Sequence, residues 1–133
     1  MKNCKLIEVP TLCDDRGNLS FIEFEKYVDF SIKRIYWLYN LSPSNDRGFH
    51  AHKRIQQIMF ALQGSCDVIV DNGTIREKIC LNNPKKGIII GVNIWRELKN
   101  FSNNTIIINF ASDIYKEDDY IRNFNDYLKY QNK

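Results

Sequence analysis

The chain has 133 residues and a formal net charge of +3, with 44% hydrophobic and 26% charged residues. This length and composition fit one folded domain of ordinary size, which we place at residues 1–133. The weak net charge argues against a nucleic-acid partner, and no apolar run approaches the roughly 20 residues that span a bilayer. We therefore expect a cytoplasmic protein with no nucleic-acid and no membrane partner.

The cysteines are too scattered to indicate a metal site. Cys4, Cys13, Cys66 and Cys80 include no C-x-x-C pair, which argues against a zinc knuckle. In a reducing cytosol we expect these four side chains to be free thiols.

In chain order, short runs rich in β-branched and aromatic residues alternate with turn signals. Asp71-Asn72-Gly73 predicts a hairpin with a type I′ turn. A series of eight or more short strands, spaced by roughly 8–12 residues, predicts an all-β sandwich or barrel. The predicted strands are 5–10, 19–24, 32–39, 47–53, 56–62, 65–70, 74–80, 87–92, 95–98 and 105–110.

The end of the chain changes character. Tyr120, Phe124, Tyr127 and Leu128 recur at helix-like spacing, and acidic residues precede them, as a helix dipole prefers. We predict one short helix, or two, packed on the barrel. The barrel then covers roughly residues 5–112 and the helical tail roughly 115–130.

The two histidines of the chain, His50 and His52, lie in one predicted strand at positions i and i+2. Alternate side chains of a strand face the same side, so both imidazoles are expected to share one space. On a helix the two rings would diverge by about 200°. A strand therefore makes a two-histidine site, which could be structural, metal-binding or acid–base.

The order of residues around this pair resembles the first motif of the cupin barrels. The matching residues are Gly48, His50, His52, Gln57 and Gly64. This resemblance implies a cupin-type jelly-roll β-barrel. Relatives that bind a metal usually carry a glutamate ligand where this chain has Gln57.

Residues 95–100 resemble the second cupin motif. Arg96 lies at the position where that motif usually has another histidine ligand. A glutamine is a weak neutral ligand and an arginine repels a cation, so two of the four usual ligands are missing. His50 and His52 alone are too few for a metal site. We predict no metal and no cofactor, unless Glu97 or another carboxylate substitutes.

Without a metal, the histidines favour acid–base chemistry, because the ordinary pKa of imidazole suits proton transfer near neutral pH. Arginines would supply the second feature of such a site, a group that binds phosphate, since the planar guanidinium pairs bidentately with phosphate oxygens. The candidates for gripping a diphosphate are Arg16, Arg34, Arg47 and Arg96. Arg47 and Arg96 are favoured because each lies at or beside a motif position, whereas any single arginine can be a solvated surface residue.

The chain as a whole resembles the nucleotide-sugar 3,4-ketoisomerases, small cupins that act on dTDP-4-keto-6-deoxyglucose. The matching stretches run in order over nearly the whole length. They are 15–19, 30–37, 47–53, 64–66, 81–84, 95, 100–102, 111–115 and 118–122. This resemblance implies a homodimeric, metal-independent isomerase that moves a ketone from C4 to C3. Its product would be aminated and acetylated for surface polysaccharide.

The resemblance also implies roles for the site residues. His50 is the expected primary base and His52 its partner or proton shuttle, although the order could be reversed. Tyr36 either hydrogen-bonds sugar oxygens or packs in the core. Arg96 replaces a histidine that relatives often keep after the tryptophan of the second motif, so the floor of the pocket departs from the usual one.

Arg47 and Arg96 would hold the diphosphate or the enediolate. Arg16 either binds the nucleotide or anchors its own turn. An N-terminal strand exchanged between subunits would be a plausible way to pair an edge strand.

Two other functions remain open. A related cupin epimerase would invert a carbon of the same kind of ketosugar without moving the ketone. A non-catalytic sugar-binding cupin would show no turnover. The configuration of the product at C4 depends on which face of the enediol receives the proton, which residue types alone do not define.

Overall fold

The computed structural model describes residues 1–132, which form twelve β-strands and one α-helix. Short 3₁₀ turns cover Phe24–Lys26 and Glu117–Asp119. The strands are β1 (Cys4–Glu8), β2 (Thr11–Asp14), β3 (Gly17–Ser20), β4 (Arg34–Leu38), β5 (Arg47–His52), β6 (Gln57–Gln63), β7 (Cys66–Asp71), β8 (Arg76–Leu81), β9 (Lys86–Ile90), β10 (Trp95–Lys99), β11 (Ile106–Ala111) and β12 (Tyr120–Ile121), and the helix α1 is Phe124–Gln131.

Two five-stranded antiparallel sheets hold most of the chain. Their strand orders are β1-β9-β6-β11-β4 and β12-β5-β10-β7-β8, and β2 and β3 form a separate hairpin. Among the described strands, hydrogen bonds do not close the two sheets into one barrel. The main core contains side chains of both sheets, among them Met59, Ile88, Val68 and Leu98. The all-β prediction, with a jelly-roll arrangement and a C-terminal helix, is confirmed.

Strand β6 shows why the first sheet is apolar on both faces. Met59 and Ala61 point into the core between the sheets, whereas Ile58 and Phe60 join a second cluster on the opposite face. Side chains from residues 22–30 cover that second cluster. A strand that is buried on both faces has a continuous run of apolar residues, and residues 58–62 of β6 form such a run.

The tail differs from the predicted helix at its beginning. Tyr120 and Ile121 form β12, which pairs with His52 and Ala51 of β5. The helix begins only after Asn123, whose side chain accepts a hydrogen bond from the Asp126 amide at 3.0 Å. The predicted helical spacing was therefore wrong at position 120, because pairing with β5 gives this segment strand geometry.

The β7–β8 hairpin is confirmed, but its turn type is not. The connection contains four residues, 72–75, and Asn72 does not have the positive φ that a type I′ turn requires. The Asn72 side chain instead accepts hydrogen bonds from the amides of Thr74 and Ile75, at 2.9 and 2.8 Å. An asparagine that bonds to its own backbone favours this wider loop.

All four cysteines are free thiols, as expected. Among the described residues, no helix is long and apolar enough to span a membrane.

A register shift in β10 lies beside an unusual stretch of β5. Arg96 pairs with His50 and Glu97 with Gly48, so the register skips Phe49. Gly48 has a φ of 86° and Phe49 a φ of 59°, both in the left-handed region. A Cβ atom on Gly48 would lie 3.0 Å from the Arg96 carbonyl oxygen. The close approach of these two backbones therefore requires glycine.

We expect Gly48→Ala to lower the free energy of unfolding by about 1–3 kcal/mol, through backbone strain and the contact with the Arg96 carbonyl. Urea denaturation would measure this loss. Gly17→Ala is the matched control, because Gly17 also has a positive φ but has no described atom near its missing Cβ. Equal losses in both variants would contradict the contribution of the contact.

Candidate active site

A cavity of about 260 Å³ opens between the two sheets, lined by residues of β4, β5, β6, β10 and β11 and by the β12 segment. It contains five of the residues that were predicted from the sequence. They are Arg34, Tyr36, Arg47, His50 and Arg96. No aspartate or glutamate of the described chain lines this cavity, so its polar lining is neutral or cationic.

His50 lines this cavity, and one of its ring nitrogens has no hydrogen-bond partner among the described residues. The Gly48 backbone forms a hydrogen bond with its ring, and the other nitrogen, Nε2, is buried and has no partner among residues 1–132. A backbone carbonyl accepts but does not donate, so Nδ1 carries the proton and Nε2 the lone pair. His50 can therefore accept a proton from a molecule in the cavity.

His52 contacts the His50 ring but is shielded from the cavity. Its side chain is fully buried, and its ring meets the His50 ring edge-on with 5.0 Å between centroids. The two side chains therefore lie on the same side of β5, as the strand period predicts. His52 also packs on the Tyr120 ring at 4.4 Å, and its Nδ1 lies 3.1 Å from Asp119 Oδ2. It does not line the cavity itself.

Arg96 supplies a buried positive charge. Its side chain is 1% exposed, and its Nη2 donates to the Ile94 carbonyl at 3.0 Å. Nε and Nη1 have no partner in the part of the chain that the structure describes. Burial lowers the pKa of Arg96, yet a guanidinium stays charged in proteins. A buried cation without a carboxylate partner is costly, and an anionic ligand would relieve that cost.

Burial and this charge together keep both histidines in the neutral form. Burial, followed by the nearby Arg96 cation, lowers the pKa of His50 to about 2. The same two causes, in the same order, lower the pKa of His52 to about 2. Both imidazoles are therefore neutral at physiological pH, and each retains a lone pair.

Tyr36 contacts both Arg34 and Gln57, and Gln57 occupies the position where related barrels have a glutamate. Its hydroxyl donates to Gln57 Oε1 at 3.5 Å, and the Gln57 amide donates to Asn109 Oδ1 at 2.7 Å. Burial raises the pKa of Tyr36, so it remains a hydrogen-bond donor. Arg34 stacks over the Tyr36 ring at 5.1 Å, and its Nε and Nη2 are buried without partners among the described residues.

Within residues 1–132, no three histidine, cysteine, aspartate or glutamate side chains converge as they would to hold a metal ion. The position that bears a metal-binding glutamate in related barrels is occupied by Gln57, which is bonded to Asn109.

The segment at β12 contributes to the cavity two side chains that were not predicted from the sequence. Tyr120 and Arg122 both line it, and the Arg122 guanidinium stacks over the Tyr120 ring at 4.2 Å. Arg122 Nε and Nη2 each donate to Glu117 at 2.8 Å. The helix-like spacing of Tyr120, Phe124 and Tyr127 placed this segment in the predicted helical tail, although stretch 118–122 belongs to the family resemblance and indicates the site.

Arg16 is the one predicted arginine that the described chain does not bring to the cavity. It lies in the turn between β2 and β3 with its side chain 88% exposed, and its Nη2 lies 2.7 Å from Asp14 Oδ2. Anchoring the turn is therefore the role visible in a single chain. Contact between Arg16 and substrate stays a prediction.

The family model described as "FdtA: WxcM-like, C-terminal" matches residues 2–132. The chain belongs to this family. A curated relative is the TDP-4-oxo-6-deoxy-alpha-D-glucose-3,4-oxoisomerase of Aneurinibacillus thermoaerophilus. It is 41% identical over 126 residues, covering 95% of this chain and 91% of the relative.

Solved structures of ketoisomerases have the same fold. The WlaRB TDP-quinovose 3,4-ketoisomerase of Campylobacter jejuni is 44% identical, with a TM-score of 0.92 and coverage of 97% of this chain and 99% of that one. QdtA of Thermoanaerobacterium thermosaccharolyticum, a 3,4-ketoisomerase, was solved as a histidine-to-asparagine mutant in complex with TDP-4-keto-6-deoxyglucose. It is 32% identical, with a TM-score of 0.94 and coverage of 98% and 95%. The predicted family resemblance is confirmed.

The lowered pKa values predict how stability depends on pH. Below the ordinary histidine pKa of about 6.5, the unfolded chain binds protons that the folded chain excludes. The free energy of unfolding should therefore fall as the pH falls from 6.5 towards 5. The loss should reach up to about 1.4 kcal/mol per pH unit for each histidine.

Urea denaturation at pH 7.0, 6.0 and 5.0 would measure this slope, and His50→Gln should reduce it by about half because one of two such histidines is removed. A free energy of unfolding that does not change over this range would contradict the neutral state of the pair.

Proposed function

We propose that this chain is a sugar 3,4-ketoisomerase that converts TDP-4-keto-6-deoxyglucose into the corresponding 3-keto sugar. The observation that carries the proposal is the neutral His50, which lines the cavity, has an unpartnered Nε2 among the described residues, and pairs across the sheet with Arg96, a guanidinium that has no carboxylate partner there. Membership in a family with 3,4-ketoisomerase relatives supports the same substrate class.

The reaction needs a base and an environment for negative charge. The C4 ketone acidifies the hydrogen on C3, so a base can remove it and leave an enediolate. A proton then moves between O3 and O4, and C4 receives a proton from the acid form of the base, which leaves the net proton count unchanged. Preorganised donors stabilise the enediolate oxygens while the charge develops.

His50 fits the base. Before substrate binds, burial and the Arg96 cation hold the pKa of His50 low, so the imidazole is a ready acceptor but a weak one. As the C3 hydrogen leaves, the enediolate charge that develops beside Arg96 offsets the guanidinium, which raises the basicity of His50 while the proton is being taken. The base is therefore strengthened by the substrate on which it acts.

The arginines divide into buried and exposed groups. Arg96 is buried and has no carboxylate partner among residues 1–132, so it fits the enediolate. Arg47 lines the cavity and is exposed, so it fits the diphosphate, and Arg34 contributes two further buried nitrogens. The cavity of about 260 Å³ lies below the roughly 300–1,000 Å³ of pockets for larger ligands. We therefore place the sugar inside and the nucleotide towards solvent.

We further propose that the reaction requires no metal. Gln57 is bonded to Asn109, and the Arg96 cation lies on the strand that carries a metal ligand in related barrels. A 3-keto product would be a substrate for amination, which suits precursors of surface polysaccharide.

Proton NMR of the reaction with TDP-4-keto-6-deoxyglucose in deuterated water tests this function. We expect the ketone to appear at C3, with deuterium incorporated at C4. His50→Gln should lower kcat by about 10²–10⁴-fold, because the base is removed. Lys78→Gln, an exposed position on edge strand β8, is the control and should retain activity.

A ketone that stays at C4 while a carbon is inverted would identify an epimerase instead. Binding of the ketosugar without turnover would identify a non-catalytic sugar-binding protein.

We also propose that the chain forms a homodimer. Strand β4 is an edge strand that pairs, among the described strands, only with β11, and Ile35, Trp37 and Tyr39 are exposed on one side of the segment that contains it. An edge with exposed apolar side chains favours pairing with another chain. The β2–β3 hairpin forms its own two-stranded sheet, which leaves Arg16 at its turn available to a second copy.

Size-exclusion chromatography with light scattering should give a dimer for the native chain at micromolar concentration. Trp37→Arg should shift this species towards monomer, because a charge replaces an exposed apolar side chain at the edge. Ile75→Arg, which changes an equally exposed residue of the β7–β8 loop, should leave the dimer intact. A monomeric native chain would refute the assembly.

A further inference from the structure

Asp119 is a fully buried carboxylate beside the histidines, and the acid–base chemistry proposed for His50 does not use it. Its Oδ1 accepts a hydrogen bond from the Arg54 amide at 2.8 Å. Its Oδ2 accepts from the Ile55 amide at 3.0 Å and lies 3.1 Å from His52 Nδ1. The Arg54 side chain approaches Oδ1 at 3.4 Å.

These contacts determine which nitrogen of His52 carries a proton. A backbone amide can only donate, so the amides of Arg54 and Ile55 hold the carboxylate of Asp119 as an acceptor. His52 must then donate from Nδ1, which leaves the lone pair on Nε2. That Nε2 is buried and has no partner within residues 1–132.

The backbone brings Asp119 to this position. β12 pairs with β5 in a register that sets Tyr120 opposite His52, and the Lys53 amide donates to the Asp119 carbonyl at 2.9 Å. Asp119 therefore lies at the end of the 3₁₀ turn, one residue before the strand that pairs with His52. These backbone contacts hold the carboxylate in one place, so it can fix both the orientation and the tautomer of the His52 ring.

The two histidines differ in their anchors. The His50 ring bonds to a neutral backbone group of Gly48, whereas the His52 ring bonds to the carboxylate of Asp119. A carboxylate stabilises a positive imidazolium more than a carbonyl does. A positive charge on His52 would therefore be stabilised by Asp119, whereas the nearby Arg96 cation disfavours that charge.

We propose that Asp119 is a positioning residue, which holds His52 as the Nδ1–H tautomer and in a fixed orientation against His50, so that Nε2 keeps its lone pair during isomerisation. This inference rests on the proposed function for its effect on turnover. The tautomer itself can be measured without any substrate.

Nitrogen-15 NMR of the full chain reads the tautomer directly. The chain has only two histidines, so the spectrum holds four ring nitrogens, and His50→Gln assigns them. At pH 7 we expect His52 Nδ1 to be protonated and Nε2 to be unprotonated. A wild-type His52 with its proton on Nε2 would overturn the proposal, whether or not any variant folds.

Asp119→Asn tests the consequence for turnover. The asparagine NH₂ donates and cannot accept, so at least one of the three groups that contact the carboxylate, His52 Nδ1 and the amides of Arg54 and Ile55, loses its acceptor. The His52 tautomer should therefore change in the same NMR spectrum. We expect kcat to fall by about 10²-fold or more, as when a histidine-orienting aspartate becomes asparagine. KM should change by less than about threefold, because Asp119 lies outside the cavity.

Asp118→Asn is the matched control. Asp118 is the neighbouring carboxylate, 81% exposed, and its Oδ2 lies 3.6 Å from Arg54 Nη2. It should retain both the tautomer and kcat. Equal kcat values in the two variants, or an unchanged tautomer in Asp119→Asn, would refute positioning by Asp119. Absence of turnover in the wild type, with the expected tautomer present, would refute the proposed isomerase and leave the tautomer assignment intact.

Discussion

The buried guanidinium of Arg96 is the charge around which the polar groups of this cavity are arranged. It is 1% exposed, it donates a hydrogen bond to the Ile94 carbonyl, and no carboxylate of the described chain lines the cavity to neutralise it. Burial of an unpaired charge costs several kcal/mol, so the fold retains a group that is stabilised only when an anion arrives. The same charge helps to keep His50 and His52 neutral, so an anion bound beside Arg96 would raise the pKa of both imidazoles.

The backbone makes this arrangement possible. The register shift of β10 at Arg96 lies against the left-handed residues Gly48 and Phe49 of β5, and the two strands pair through Arg96 and His50. A cation and an imidazole on adjacent strands of one sheet are thereby held at the same depth. The remaining wall, with Tyr36, comes from the opposite sheet, so packing of the apolar core between the sheets also determines the geometry of the polar site.

Local patterns in the sequence were enough to predict part of the site. Alternation in β5 placed His50 and His52 on one side, and the residue identities at positions 57 and 96 argued against a metal. The sequence did not reveal β12, because a two-residue strand has no period and Tyr120 also fits a helical spacing. Asp119 and Arg122 were missed for the same reason, since both reach the site only through pairing between parts of the chain that are about seventy residues apart, such as Tyr120 and His52.

The long-range pairing of β12 with β5 also makes two chemically identical side chains unequal. His50 faces the cavity and is anchored by a neutral backbone group, so its ring is free to exchange a proton with substrate but gains little local compensation for a positive charge. His52 is shielded from the cavity and anchored by Asp119, so its positive form is compensated but has no direct path to substrate. With 5.0 Å between their centroids, the rings are close enough for the charge state of one to affect the other. Access to the cavity and local stabilisation of a positive charge are therefore assigned to different rings of the pair.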